Sequence, residues 1–198
     1  MPVISNVRRH DPMAAFIDHI ESHLGPIQDG ARLREGVQGV RFRDRPNPGA
    51  TTFMTLGLSN HVLTQRSGVD VRIEFVIACH DAFVEGFNSL SVLADVCDQV
   101  LPDHSAPARG TVFGPRGRFF EGSEMEALYC ASPVYFPDDL CKFGGFSEPF
   151  VPVWLVPITK LEAHYVGTNG WNSFEELLAR VDPNLLDLRR RSLIESDA

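Results

Sequence analysis

The sequence lacks most of the patterns that mark common chemistry. It has no Cys-x-x-Cys pair, which excludes a zinc site of the clustered-thiol kind. His19 and His23 are four apart, a spacing that suits two ligands on one helical face, but no third ligand accompanies them. There is no Gly-x-Ser-x-Gly, so a nucleophile elbow is absent. The glycines at 110, 114 and 117 match neither a dinucleotide fingerprint nor a P-loop. No catalytic group, metal or cofactor is therefore expected. No apolar run approaches the roughly 20 residues of a membrane-spanning helix, and residues 1–11 hold no signal-peptide core. Cysteines are few and widely spaced: Cys79, Cys97, Cys130 and Cys141. Three lie in apolar settings and read as reduced core thiols of a cytoplasmic protein rather than a disulfide framework. Positive charge is also short. Against 26 Asp and Glu stand 18 Lys and Arg, a net charge of -8. That balance argues against electrostatic binding to nucleic acid or to an anionic membrane. It would attract a basic protein partner instead.

What is present is the material of a globular fold. The 198 residues suffice for a single domain over 1–198, and 43% hydrophobic with 22% charged residues is an ordinary core-forming balance. Asp11-Pro12 reads as a helix start. Met13, Phe16, Ile17, Ile20 and Leu24 then share one helical face. A short strand is expected at 37–42, where Arg41, Arg43 and Arg45 alternate as on a charge-protected sheet edge. Residues 51–58 read as a strand in which Gly57 marks a bulge or a close backbone approach. Residues 70–80 alternate clearly, with Val71, Ile73, Phe75 and Ile77 on one side. The short link between these strands predicts an antiparallel pair. Leu90, Leu93, Val96, Cys97 and Val100 predict a second helix, and 127–136 another strand.

The densest signal runs from 150 to 181. Val151, Val153 and Leu155 face one way, Trp154 and Val156 the other, so this strand is expected to be covered on both sides. Pro157 is expected to end it. Thr159-Lys-Leu-Glu162 is a capping-box pattern that opens a helix. Asn169-Gly170 is expected to stop that helix, and Ser173-Phe-Glu-Glu176 to cap a further one carrying Phe174, Leu177, Leu178 and Val181. Beyond Ser192 the tail is expected to fray. The order of elements gives an α+β fold: a mostly antiparallel central sheet with helices packed on it.

Several segments, taken in order, resemble the Suppressor of fused family. Thr55-Leu-Gly-Leu-Ser59 resembles its Thr-x-Gly-x-Ser segment, and Arg72-Ile-Glu-Phe-Val76 its following strand. The run from Val153 to Thr159, then Glu162, Gly170 and Phe174, is similar to its late strand-Pro-Ile-Thr-helix signature. Asp187 to Ser192, with three arginines between them, looks like its closing Asp-x-x-Arg-x-Ser segment. The matches span about residues 50–192; residues 1–50, 107–118 and 137–149 carry none. The resemblance implies a sandwich-like domain on one central sheet that acts by binding other proteins. In animals such a domain holds a transcription factor of the Hedgehog pathway. In bacteria such domains are proposed as immunity proteins that neutralise a cognate toxin, and this short chain looks more like the bacterial form. A basic toxin domain is then the expected partner.

Three residues stand out as candidates for partner binding. Arg72 and Glu74 share one side of an otherwise apolar strand, as a cross-strand ion pair or as a polar patch on an exposed face. Trp171 falls in an expected turn, where a rigid aromatic can act as a hot spot. The alternative is a small hydrolase or metal-dependent enzyme using Ser59, His61 or His80, which requires those side chains to converge. A third reading, an oligomerising subunit, would use the sheet edge near 37–42. The sequence fixes no oligomeric state.

Overall fold

The computed structural model describes residues 12–195. Its helices are α1 (Pro12–Leu24), α2 (Ser89–Val100) and α3 (Lys160–Val181). Its strands are β1 (Asp29–Arg32), β2 (Gln38–Arg43), β3 (Ala50–Leu56), β4 (Leu63–Thr64), β5 (Asp70–His80), β6 (Val112–Phe113), β7 (Met125–Ala131) and β8 (Phe150–Thr159). One sheet runs in the order β1-β2-β3-β5-β8-β7-β6, with β4 attached to β5. Every pairing is antiparallel except that of the two central strands, β5 and β8. A parallel pair needs a crossover. Here α2, β6 and β7 supply it.

The expected α+β architecture is present, and both faces of the sheet are covered. On one face Phe16, Ile20 and Leu24 of α1 and Val166, Phe174 and Leu177 of α3 bury against Met54, Val76, Trp154 and Val156. On the other, Leu93, Val96, Cys97 and Val100 of α2 bury against Ile73, Phe75, Ile77, Val153 and Leu155. The period-two alternation of β5 and β8 thus feeds two cores, one per face. Asn88 caps α2 through its side-chain oxygen, which accepts from the Ser91 N–H. The Asp11 cap expected for α1 lies outside the described residues.

Several local expectations change. The arginine-bearing strand β2 is not an edge, because β1 pairs outside it, and Arg41 reaches across to Asp29. An oligomer using the edge at 37–42 therefore has no free strand there. The strand expected over 127–136 ends at Ala131, where Ser132-Pro133 turns the chain out. Pro157 does not end β8, which continues to Thr159. Its carbonyl accepts from Arg190 Nη2 at 3.2 Å, so its backbone polar atoms point away from β7. The missing N–H therefore costs no ladder bond with that strand. The two expected helices are both present within α3, and the expected stop holds: Gly170, at φ 81° and ψ 161°, breaks the helical backbone between them. Ser173 lies inside the second helix, three residues past the break, instead of capping it.

The segment after α3 packs back onto the sheet; beyond Ser192 the Leu193 N–H still donates to Glu162 at 3.0 Å, and residues 196–198 lie outside the described residues. The His80 N–H donates to the Leu186 carbonyl at 3.0 Å. Leu185 and Leu186 bury in one core and Leu188 in the other. The pairing of β5 with β8 extends only from Arg72–Phe150 to Val76–Trp154. The tail follows the diverging ends of these strands, which is how neighbouring leucines come to serve opposite faces.

Candidate functional site

Each residue singled out in the sequence has a definite place, and Glu74 moves furthest from expectation. It is fully buried and does not pair with Arg72. Its Oε1 accepts from the Gly57 N–H at 2.9 Å, the Ser59 N–H at 3.0 Å and the Ser59 hydroxyl at 2.7 Å. Its Oε2 accepts from the Thr55 hydroxyl at 2.6 Å. Burial pushes its pKa up to about 7 against the opposing pull of these four bonds. Glu74 therefore holds the turn after β3 and offers no atom to a partner.

That turn requires a glycine. Gly57 sits at φ 102°, and a Cβ there would come within 2.9 Å of the Gly36 carbonyl oxygen. Of the two sequence readings, close approach holds rather than a bulge. Gly57→Ala should cost about 2 kcal/mol of stability, from left-handed strain and the clash together. Urea denaturation checks this, and a wild-type midpoint would mean that the Gly36 backbone yields freely.

Arg72 is partly buried. It pairs with Glu148 at 2.6 Å, donates to the Ser59 carbonyl at 2.7 Å and lies over the Phe146 ring. It pins the 146–150 segment to the Glu74 turn. Trp171 is 38% exposed and begins the second half of α3 rather than sitting in a turn. Arg109 stacks on its ring, 5.1 Å from the centroid, and makes a two-pronged ion pair with Glu175. Glu175 also accepts from the Tyr129 hydroxyl at 2.9 Å.

This ladder forms one wall of an apolar groove of about 250 Å³ between β7, the 132–136 loop and the second half of α3. Trp154 and Val156 line it from β8, and Val134 and Tyr135 stand opposite. Sequence reasoning identified Trp171 but missed the groove, because Arg109, Tyr129 and Glu175 come from three distant segments with no shared motif.

The residues of the enzyme alternative do not converge. The Ser59 hydroxyl is buried and committed to Glu74. His61 lies beside His104, with ring centroids 6.3 Å apart. His80 stands at the far end of β5 from Arg72, roughly 26 Å away for eight strand residues, and takes a hydrogen bond from Asn184. Among the described residues no group of His, Cys, Asp and Glu forms a metal cluster. The His19 ring bonds the Leu140 carbonyl at 3.0 Å. All four cysteines are free, and Cys79, Cys97 and Cys130 are buried. No helix among the described residues is long and apolar enough to cross a membrane.

A second buried carboxylate mirrors the first. Glu162 is fully buried, and Arg190 meets both of its oxygens, at 2.6 and 2.9 Å. The Thr159 and Leu193 N–H groups donate to it at 2.8 and 3.0 Å. The expected capping box is thus present, with an arginine from the tail locked onto it.

Comparison with known proteins bears on the whole arrangement. A family model described as Suppressor of fused protein (SUFU) matches residues 34–191. The chain is 27% identical over 155 residues to immunity protein YqcF of Bacillus subtilis strain 168, an alignment covering 76% of this chain and 78% of that protein. Its fold is similar to the crystal structure of a SUFU homolog from Neisseria gonorrhoeae FA 1090, with a TM-score of 0.68 at 16% identity over 94% of this chain and 98% of that one. It is similar also to a chain of the Sufu-Fu complex, with a TM-score of 0.64 at 12% identity over 92% of each. Fold and family model agree with the residues at both buried carboxylates: this chain belongs to the Suppressor of fused family.

Proposed function

We propose that this protein is a non-catalytic binding domain that acts as an immunity protein, neutralising a cognate toxin by covering its working surface. The observation that carries this reading is its similarity, over more than three quarters of both chains, to a protein named as an immunity protein. The internal chemistry is consistent with it. The buried ionisable groups Glu74, Glu162 and Arg190 are all spent on holding backbone segments together. Free cysteines fit action in the cytoplasm. The net charge of -8 favours a basic toxin domain and would steer its approach.

The test is to recover partners of the tagged chain from lysate of its source organism and to express the recovered partner with and without this chain. A partner that stops growth alone but not with this chain supports the reading. A stoichiometric partner with no toxicity overturns the immunity part. The association rate should fall about tenfold or more between low and high salt, measured by stopped flow. A salt-independent rate would remove the electrostatic steering.

A further inference from the structure

We infer that the groove between β7, the 132–136 loop and the second half of α3 is the docking surface of this domain, and that it takes a basic protein segment carrying one apolar anchor side chain. The inference deepens the binding-domain reading above and rests on it.

Exposed apolar residues concentrate here. Val134, Tyr135, Trp171 and Val181 are exposed at 72, 37, 38 and 49%, and only Val69 and Leu161 are comparable elsewhere among the described residues. Val134 and Tyr135 line the groove directly. Trp171 joins it through Arg109, and Val181 adjoins Asp182 at its end. Clustered exposure of this kind on a domain marks an interaction surface, whereas scattered residues do not. Of the two tryptophans of the chain, Trp154 lines it and Trp171 stacks on the Arg109 that lines it. Trp154 lines the groove and is 1% exposed, and its indole N–H has no acceptor among the described residues. A buried donor without a partner is costly, and the Trp154 ring packs against that of Tyr135, with centroids 4.8 Å apart, so both rings sense what enters the groove.

The groove also has a direction and a charge. It continues past Tyr135, Asp182 and Pro183 into a more open cavity bounded by Asn184, His80 and Asn47. That path suits an extended chain more than a compact small molecule. Arg109 is neutralised by Glu175. Asp182, where the two cavities meet, is exposed and makes no ion pair among the described residues. Among the lining residues the charge left over is therefore negative. A lysine or arginine of the occupant meets Asp182 while an apolar side chain enters between Leu178 and Tyr135. The local sign agrees with the net charge of the whole chain.

The test uses the full chain, labelled with nitrogen-15, and three synthetic peptides: acetyl-Lys-Gly-Leu-Lys-Gly-Lys-amide, its Leu-to-Gly counterpart, and its Lys-to-Glu counterpart. The indole N–H signal of Trp154 reports on the groove directly and that of Trp171 through Arg109. The first peptide should shift both saturably. Loss of the leucine should weaken binding at least tenfold, and the acidic peptide should leave both signals in place. Ala179 is exposed on the groove. Ala179→Arg, which fills the groove and reverses its charge, should weaken the basic peptide at least tenfold. Asp182→Asn keeps a residue that tolerates the left-handed backbone at φ 47° and should weaken it about two- to fivefold.

Indole signals that stay fixed with the basic peptide, or that respond equally to the acidic one, overturn the proposal. So does a shift that tracks dimer formation in sedimentation, which would give the groove to a second copy of the chain. The two readings fail separately. A recovered toxin that binds Ala179→Arg as tightly as wild type removes the groove and leaves the immunity role standing. Peptide docking by a chain that recovers no toxin does the reverse.

Discussion

Replacing Glu74 with alanine should destabilise the fold by about 3–5 kcal/mol, though the residue touches no solvent. The change strands two backbone N–H groups, of Gly57 and Ser59, that can only donate, and two hydroxyls, of Thr55 and Ser59. The Thr55 hydroxyl also accepts from the Phe75 N–H at 2.8 Å, so it cannot simply turn away. Glu74→Gln keeps the shape and an acceptor oxygen and should cost far less. The two variants separate through pH. Burial raises the folded pKa of Glu74 from 4.5 to about 7. Between those values the folded state holds a proton that the unfolded state has released. Stability from this group is thus complete below about pH 4.5 and declines as pH rises through about 7, by about 3 kcal/mol in total. Glutamine cannot titrate. The stability difference between wild type and Glu74→Gln, followed by urea denaturation from pH 4.5 to 8, should therefore move by about that amount, with wild type losing ground at high pH. A difference that stays constant would show that the four donors keep Glu74 ionised throughout.

What the sequence made legible follows the physics of repetition. The boundaries of β5 and the buried faces of α1, α2 and β8 were readable because each repeats an apolar spacing over several residues. The antiparallel partnership of β3 and β5 followed from their short connection. Single-residue signals were weaker guides. Pro157 was expected to stop a strand, but its consequence depends on which way its backbone faces, and that is set by β7 and Arg190. Ser173-Phe-Glu-Glu176 has the letters of a capping box, yet the break falls at Gly170 and leaves Ser173 inside the second helix. Glu74 and Arg72 alternate together along the strand, which suggested a pair. The donors that claim Glu74 come instead from the turn after β3, and no local pattern announces them. The groove beside Trp171 was illegible for the same reason, since its walls meet only through the sheet order.

The residues that carry the family resemblance turn out to share one kind of work. Thr55, Gly57 and Ser59 converge on Glu74. Thr159 and the closing arginine segment converge on Glu162. Each cluster buries one carboxylate and spends it on tying distant chain segments together. The family signature is thus the signature of a scaffold, and likeness in it says little about what the surface binds. The positions that line the groove proposed for docking, such as Val134, Tyr135 and Ala179, lie outside the signature.

The second of these clusters predicts that Arg190→Ala will be among the most damaging single changes in the chain, at about 3–5 kcal/mol. Arg190 is 7% exposed in its side chain and Glu162 is fully buried, so removing the guanidinium leaves an uncompensated carboxylate in the core. It also frees the tail. Arg190 binds the Pro157 carbonyl as well as Glu162, and Glu162 in turn holds the Leu193 N–H. Loss of the arginine should therefore open the segment that places Leu186 and Leu188 on opposite faces of the sheet. Arg190→Lys restores charge but not the two-pronged geometry, and should recover only part of the loss. Because the pair is shielded from solvent, 1 M salt should change the penalty little, whereas a solvent-exposed pair such as Arg34 with Asp98 is screened. Hydrogen exchange gives the sharper reading. In Arg190→Ala the amides of Thr159, Leu193 and His80 should lose protection well before those at the centre of β5. Uniform loss across the sheet would mean that the tail and core unfold as one unit. Unchanged protection would mean that the backbone donors of Thr159 and Leu193 hold Glu162 without the arginine.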